Sequence, residues 1–195
     1  MKNMEEREVK FLNIDPQLIE EKLQKLGAQR VFEKLYKRRV FDYPDLRFDK
    51  EGAYVRLRDE GDKITLTFKK RIGAKARDGS VNDEGMEEIE VNVSDFKKTA
   101  LILERIGLKE KFYEENRRIR YVLEGIEFDI DFWPGIKPYL EIEASSWELV
   151  EKGIEMLGLD PKDKKIFSTY QVYQLNGIDE NAYSEITFER MKKKE

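Results

Sequence analysis

Alternation of charged and apolar residues along almost every short extended run is the feature that most constrains this chain. In "EREVKF" (Glu6–Phe11), Glu6, Glu8 and Lys10 alternate with Arg7, Val9 and Phe11, so a strand there presents one wholly charged face. Val55 and Leu57 oppose Arg56 and Arg58, while Ile64, Leu66 and Phe68 oppose Thr65, Thr67 and Lys69. Ile89, Val91 and Val93 oppose Glu88, Glu90 and Asn92, and Ile119, Tyr121 and Leu123 oppose Arg118 and Arg120. Ile126, Phe128, Ile130 and Phe132 then oppose Glu127, Asp129 and Asp131, and Leu140 and Ile142 oppose Glu141 and Glu143.

For any one strand, a solvated sheet face accounts for such alternation. Across the set, however, acids come as ExE or DxD pairs and bases as RxR pairs, segregated by strand. Closing about eight strands into a barrel would remove the sheet edges and place two oppositely charged walls around one lumen. The expected fold is therefore α+β, an eight-stranded antiparallel β-barrel with helices packed outside.

Three stretches, Glu8–Ala28, Glu88–Leu108 and Glu141–Leu159, share one layout of acidic alternating strand, cap, amphipathic helix and terminal glycine. Asp15 and Pro16 have N-cap and first-turn positions, Ser145 and Glu148 have capping-box spacing, and Gly27, Gly107 and Gly158 mark helix ends. Further strands are expected at Tyr36–Asp42, Ala53–Asp59, Lys63–Lys70, Asn116–Leu123 and Ile126–Phe132, with turns at Glu60-Gly61-Asp62 and Glu124-Gly125. Trp133, Pro134 and Pro138 are expected in a hairpin loop, Trp147 on a helix packed against the strands, Arg71–Gly85 in a polar loop, and the tail "RMKKKE" in a solvated helix end.

The chain has 195 residues and no Pro/Gly/Ser-rich linker, so one domain, 1–195, is expected. The start "MKNMEEREVK" lacks the apolar run of a signal peptide and no stretch reaches the ~20 apolar residues of a membrane span, which points to a cytoplasmic protein. Charged residues make up 40% of the chain, yet the net charge is only −4. No global field therefore directs it to nucleic acid or membrane.

The candidate lumen acids are Glu6, Glu8, Glu88, Glu90, Asp129, Asp131, Glu141 and Glu143, and the bases are Lys10, Arg56, Arg58, Lys69, Arg118 and Arg120, a net of −2. Two divalent cations on the acidic wall would turn that into +2, a receptacle for a polyanion such as a triphosphate. With neither cysteine nor histidine in the chain, a metal must be held by oxygen, which suits Mg²⁺, Mn²⁺ or Ca²⁺. Arginine supplies bidentate phosphate contacts and lysine a point charge.

"EREVK" resembles the ExExK signature of the CYTH family, the triphosphate tunnel metalloenzymes, which include class IV adenylyl cyclases, thiamine triphosphatases and inorganic triphosphatases. The resemblance continues through "YVRLRDEGDKITLTFKKR", "EEIEV", "NRRIRYVLEGIEFDIDFWPGIKPYLEIEA" and "FSTYQVYQL", about residues 6–175, leaving 176–195 as a C-terminal extension. It implies metal-dependent chemistry, with Mg²⁺ or Mn²⁺, on inorganic triphosphate, ATP or thiamine triphosphate in an eight-stranded tunnel. It further implies Glu6, Glu8, Asp131, Glu141 and Glu143 as metal ligands, with Asp131 favoured over Asp129 by its spacing to "YLEIE", and Lys10, Arg56, Arg58, Lys69 and Arg118 as phosphate binders. Glu8 and Lys10 are the expected catalytic pair.

Arg120 is in phase with Arg118 and is expected either on phosphate or paired with Glu88 or Glu90. Lys164 or Lys165 is a candidate to close the tunnel. The family includes homodimers, and nothing in the chain resembles a nucleic-acid or membrane-binding element. Where the cyclases usually carry a lysine two residues before the counterpart of Arg118, this chain has Asn116. That departure favours triphosphate hydrolysis over cyclisation of ATP to cyclic AMP. A non-catalytic polyphosphate-binding module would need the basic wall alone.

Overall fold

The computed structural model describes residues 7–71 and 86–194. Among them are ten strands, β1 (Arg7–Phe11), β2 (Gln29–Asp42), β3 (Ala53–Asp59), β4 (Ile64–Arg71), β5 (Met86–Val93), β6 (Lys109–Leu123), β7 (Ile126–Phe132), β8 (Tyr139–Ala144), β9 (Tyr183–Ile186) and β10 (Met191–Lys193). Five α-helices accompany them: α1 (Pro16–Lys25), α2 (Arg47–Lys50), α3 (Phe96–Arg105), α4 (Trp147–Leu157) and α5 (Thr169–Leu175). Glu6 and residues 72–85 of the expected polar loop lie outside the described residues.

The helices start and stop for local reasons. The Asp15 carboxylate accepts from the Gln17 and Leu18 N–H groups at 3.0 and 3.3 Å, Pro16 takes the first helical position, and Gly27 leaves α1 at φ +80°. Asp95 caps α3 through the Lys98 N–H at 2.8 Å. For α4 the cap is Ser146 rather than the expected Ser145, its Oγ accepting from the Leu149 N–H at 3.3 Å. Ala144 is still paired with Arg7 in the sheet, so the chain needs one more residue before it can turn into the helix. A capping box does occur, at Ser168 and Gln171 of α5.

Eight strands form one antiparallel sheet in the order β1-β8-β7-β6-β2-β3-β4-β5. Its spine is the long β2–β6 pair, which runs from Gln29 opposite Val122 to Asp42 opposite Lys109. Where β7 ends, β9 joins the edge of β6 in parallel, and β10 pairs with β9. The tail expected to end as a helix is thus a strand, with Met191 opposite Ile186.

The expected closed barrel is not formed among the described residues, because β1 and β5 stand at opposite ends of the strand order. The outer edge of β1 is occupied by another segment, with Lys10 N–H donating to Lys165 C=O at 2.8 Å and Lys165 N–H to Lys10 C=O at 2.9 Å. At the other edge β5 carries Glu87, Glu88 and Glu90. Covering one edge and charging the other blunts both without closure.

The apolar faces are covered by helices. Ile19 and Leu23 of α1 and Val150, Ile154 and Leu157 of α4 pack on Val9, Phe128, Ile130 and Ile142. A Cβ at Gly153 would stand 3.0 Å from Ile142 Cγ2 and 3.1 Å from Ile126 Cγ2, so glycine lets α4 approach the sheet. Ala100 and Leu103 of α3 cover Phe41, Val55 and Leu57. A third cluster of Trp133, Tyr139, Val172, Tyr173 and Ile186 lies on the charged face, since Tyr139 stands opposite Asp131. Trp133, Pro134 and Pro138 lie in the β7–β8 hairpin connection as expected, with Trp133 buried in this cluster, and Tyr173 Oη donates to the Pro134 carbonyl at 3.0 Å. Trp147 opens α4 and is 36% exposed. None of the described helices is long and apolar enough to cross a membrane.

A 3₁₀ turn at Glu180–Ala182 brings Glu180 to Glu114 of β6. Both are buried and share a hydrogen bond, and burial followed by the Glu114 charge holds the Glu180 carboxyl well above the usual carboxylate range. A carboxyl raised in this way costs nothing below the unfolded value and destabilises progressively as pH rises toward its folded value. Glu180→Gln keeps a donor toward Glu114 and removes the ionisation. Thermal melts are expected to show the variant matching the parent near pH 4.5 and gaining on it at higher pH, by about 3–5 °C per pH unit within that window.

Candidate functional site

Strand register gathers the charged side chains on the face opposite the one that α1, α3 and α4 cover. On β1 and β8, Glu8 stands opposite Glu143 and Lys10 opposite Glu141. On β7 and β8, Asp129 stands opposite Glu141 and Glu127 opposite Glu143. Across to β6, Arg118 faces Asp131 and Arg120 faces Asp129. This is the expected acidic wall, threaded by three cations.

Lys10 is 2% exposed and bonds Glu8 and, at 3.0 Å, Glu141. Arg118 spans two strands. Its Nε donates to Asp131 Oδ1 at 2.8 Å, its Nη1 to Asp129 Oδ2 at 2.6 Å, and its Nη2 reaches both Asp131 and Glu141. Burial would lower the charge on this guanidinium, but the attraction of Asp131, Glu141 and Asp129 outweighs it and raises the pKa. Burial likewise opposes ionisation of Glu141, yet Lys10 and Arg118 pull its pKa down to about 2. For Asp131 burial wins over Arg118, pushing the pKa up to about 7. Asn116 donates to the same carboxylate at 3.1 Å.

The opposite wall is built by β3, β4 and β5. Arg56 and Arg58 stand opposite Thr67 and Thr65, and Lys69 and Thr67 opposite Glu88 and Glu90. Lys69 bonds Glu88 at 2.6 Å, whereas Arg56 is 3.9 Å from Glu88 and 3.7 Å from Glu90. Buried Nε atoms of Arg56 and Arg58, and the Oγ1 of Thr65, have no hydrogen-bond partner. Burial, then repulsion from Arg56 and Arg38, pushes the Arg58 pKa down to about 10. Buried donors without acceptors are costly, and a bound polyanion would satisfy them.

Several expectations are refined by these contacts. Arg120 pairs with Asp129, at 2.7 and 2.6 Å, and with Glu127, not with Glu88 or Glu90. Lys165 meets the site through its backbone bonds to Lys10, and the Lys164 ammonium pairs with Glu151 outside it. Among the described residues, Glu127, Asp129 and Glu143 can offer carboxylate oxygens within 4.8 Å of one another; Asp129 accepts from Arg118 and Arg120, and Asp131 from Arg118 and Asn116. An all-carboxylate donor set suits Mg²⁺ or Mn²⁺.

Arg38, Tyr36, Asn116, Glu114 and Glu127 also line this face without having been identified from sequence as site residues. Arg38 escaped because "YKRRVF" places three bases in a row and an apolar Val40 on the charged face, opposite Arg56. Asp129 and Glu143 bracket Glu127 on the strand faces, and the DxD pattern could have been extended to it.

Removing Arg118 would leave Asp129, Asp131 and Glu141 without their shared cation. Arg118→Gln is expected to lower stability by about 3–5 kcal/mol, and Tm by roughly 6–20 °C, in calorimetric melts. Arg56→Gln, whose partners are longer and more exposed, should leave Tm within about 3 °C of the parent.

Residues 4–166 match the family model of the CYTH domain. A Methanocaldococcus jannaschii protein provisionally named an adenylate cyclase is 33% identical over 151 residues, 76% of this chain and 82% of that protein. Among solved structures, a conserved hypothetical protein of Pyrococcus furiosus superposes with a TM-score of 0.68 at 23% identity, covering 85% of this chain and 98% of the other. A Vibrio parahaemolyticus protein provisionally described as an adenylate cyclase gives 0.70 at 14% identity over 87% and 97%. A Hippeastrum protein described as an adenylyl cyclase with a dominant triphosphatase activity gives 0.58 at 17% identity over 88% and 95%. At these identities the solved structures bear on the fold alone.

Proposed function

The chain belongs to the CYTH domain family, and from that premise we propose that it is a divalent-metal-dependent triphosphatase acting on inorganic or organic triphosphate. The observation that carries this reading is one sheet face with a carboxylate wall on one side and, on the other, buried arginines whose Nε atoms lack acceptors, Arg58 keeping one carboxylate partner in Glu60 at 2.5 Å. Glu8, Asp129, Asp131, Glu141 and Glu143, with Glu127 beside them, would hold Mg²⁺ or Mn²⁺, and the ExExK resemblance adds Glu6 to that set. The cation supplies neutralisation of phosphate charge and a lowered pKa for water.

Arg56, Arg58 and Lys69 grip the phosphate oxygens, with Lys10 and Arg118 holding the carboxylates in place between their own ion pairs. Glu8 orients a water in line with the terminal phosphorus and takes its proton as the oxygen–phosphorus bond forms, and a diphosphate leaves. Phosphoryl transfer of this kind depends chiefly on positioning and charge stabilisation. Cyclisation of ATP would use the same clamp on the α-phosphorus, and the name of the Methanocaldococcus relative keeps that as the second reading.

Incubation with inorganic triphosphate, thiamine triphosphate and ATP, each with Mg²⁺, Mn²⁺ or EDTA, followed by chromatography, separates the two. Orthophosphate with the matching diphosphate, dependent on the metal, is the expected result; cyclic AMP with pyrophosphate would replace hydrolysis by cyclisation. Glu8→Gln should lower kcat by at least about 100-fold. Arg56→Ala should weaken triphosphate binding by roughly 10–100-fold through loss of a charged hydrogen bond. Turnover that survives EDTA, or parent-like kinetics in both variants, would remove the site from the reaction.

A further inference from the structure

Arg38 is a buried cation on the charged face that the roles above do not use. Strand pairing sets it between Arg58 on β3 and Glu114 on β6. Its nearest carboxylate oxygen, on Glu114, is 3.8 Å away, outside hydrogen-bond range, and that carboxylate already shares a hydrogen bond with Glu180. The guanidinium instead stacks 4.6 Å above the Trp133 ring and 5.8 Å from Tyr36. Its buried Nε has no partner. Arg58 lies over the same Tyr36 ring at 5.1 Å, so the two guanidiniums converge on one aromatic side chain.

Two buried arginines side by side repel each other, and Arg56 and Arg118 add to that repulsion at Arg38. An anion between the walls would attract every one of these guanidiniums and offset their mutual repulsion. Resting on the triphosphate reading above, we propose that Arg38 is a further phosphate-binding residue, which joins Arg56 and Arg58 in a three-guanidinium grip positioned by Trp133 and Tyr36. Glu114 acts as its counterweight, holding Arg38 weakly enough to release it to phosphate.

Trp133 makes the contact observable, because Trp147 is the one other tryptophan of the chain. In a Trp147→Phe background, inorganic triphosphate titrated in EDTA is expected to change the Trp133 emission, and Arg38→Gln to abolish that change and weaken affinity at least 10-fold by calorimetry. Arg38→Lys should recover part of the affinity, and Glu114→Gln should tighten binding about 2–5-fold. Should Arg38→Gln fail to fold, Arg38→Lys and Glu114→Gln decide: parent-like affinity in both would overturn the proposal. Arg38→Gln binding like the parent while Arg56→Ala loses affinity would overturn the role of Arg38 alone. Undiminished binding in both Arg38→Gln and Arg56→Ala would instead overturn the triphosphate reading on which it rests.

Discussion

Arg118 holds the structure's most demanding bargain, since it draws Asp129 and Asp131 of one strand and Glu141 of the next around a single buried guanidinium. Like carboxylates packed this closely would repel one another or protonate. Lys10 does the same on the far side of Glu141, so two cations keep a wall of acids assembled in a sheet whose other face is a conventional apolar core. The helices matter to the site through this division. By covering Val9, Phe128, Ile130 and Ile142, α1 and α4 fix the register that turns every intervening charge to the opposite side.

The two walls are unequal in a way that suggests their roles. Cations on the acidic wall have close carboxylate partners on at least two sides, whereas among the described residues Arg58 has one, Glu60, Arg38 and Arg56 have none closer than 3.7 Å, and all three retain buried Nε atoms without acceptors. A structure that needed these arginines for stability alone would be expected to satisfy them. Left as they are, they form a preorganised set of donors, which is the arrangement that phosphoryl-transfer sites exploit because it costs no reorganisation when charge arrives. The C-terminal segment contributes to the same preorganisation. Through Tyr173 beside Trp133, and Glu180 beside Glu114, it braces the residues on which Arg38 rests.

Much of this was legible where a strand alternates cleanly. Arg56/Arg58, Asp129/Asp131 and Glu141/Glu143 all lie on the charged face, and Gly27, Gly107 and Gly158 end helices at positive φ. Closure was not legible, because it depends on which remote segment takes an edge, and Lys165 takes that of β1. Nor was Arg38, since period two breaks down where bases run consecutively and Val40 turns inward. The strand at Met191–Lys193 looks like a solvated tail by composition; only the packing of Met191 beside Ile186 and Trp133 makes it part of the fold. Ion-pair choice was equally hidden, as Arg120 had acids available on two walls and register gave it Asp129.

If metal and triphosphate occupy one site and neutralise each other across it, reciprocity of binding energies makes each tighten the other. Titration of Mn²⁺ followed by its paramagnetic resonance signal, with and without inorganic triphosphate and in a variant with Arg56→Ala, is the most direct test. Protein-bound Mn²⁺ is expected to be held at least 10-fold more tightly when triphosphate is present, and Arg56→Ala to erase most of this gain. Mn²⁺ affinity indifferent to triphosphate, beyond what the two form together in free solution, would mean that metal and triphosphate do not share this site.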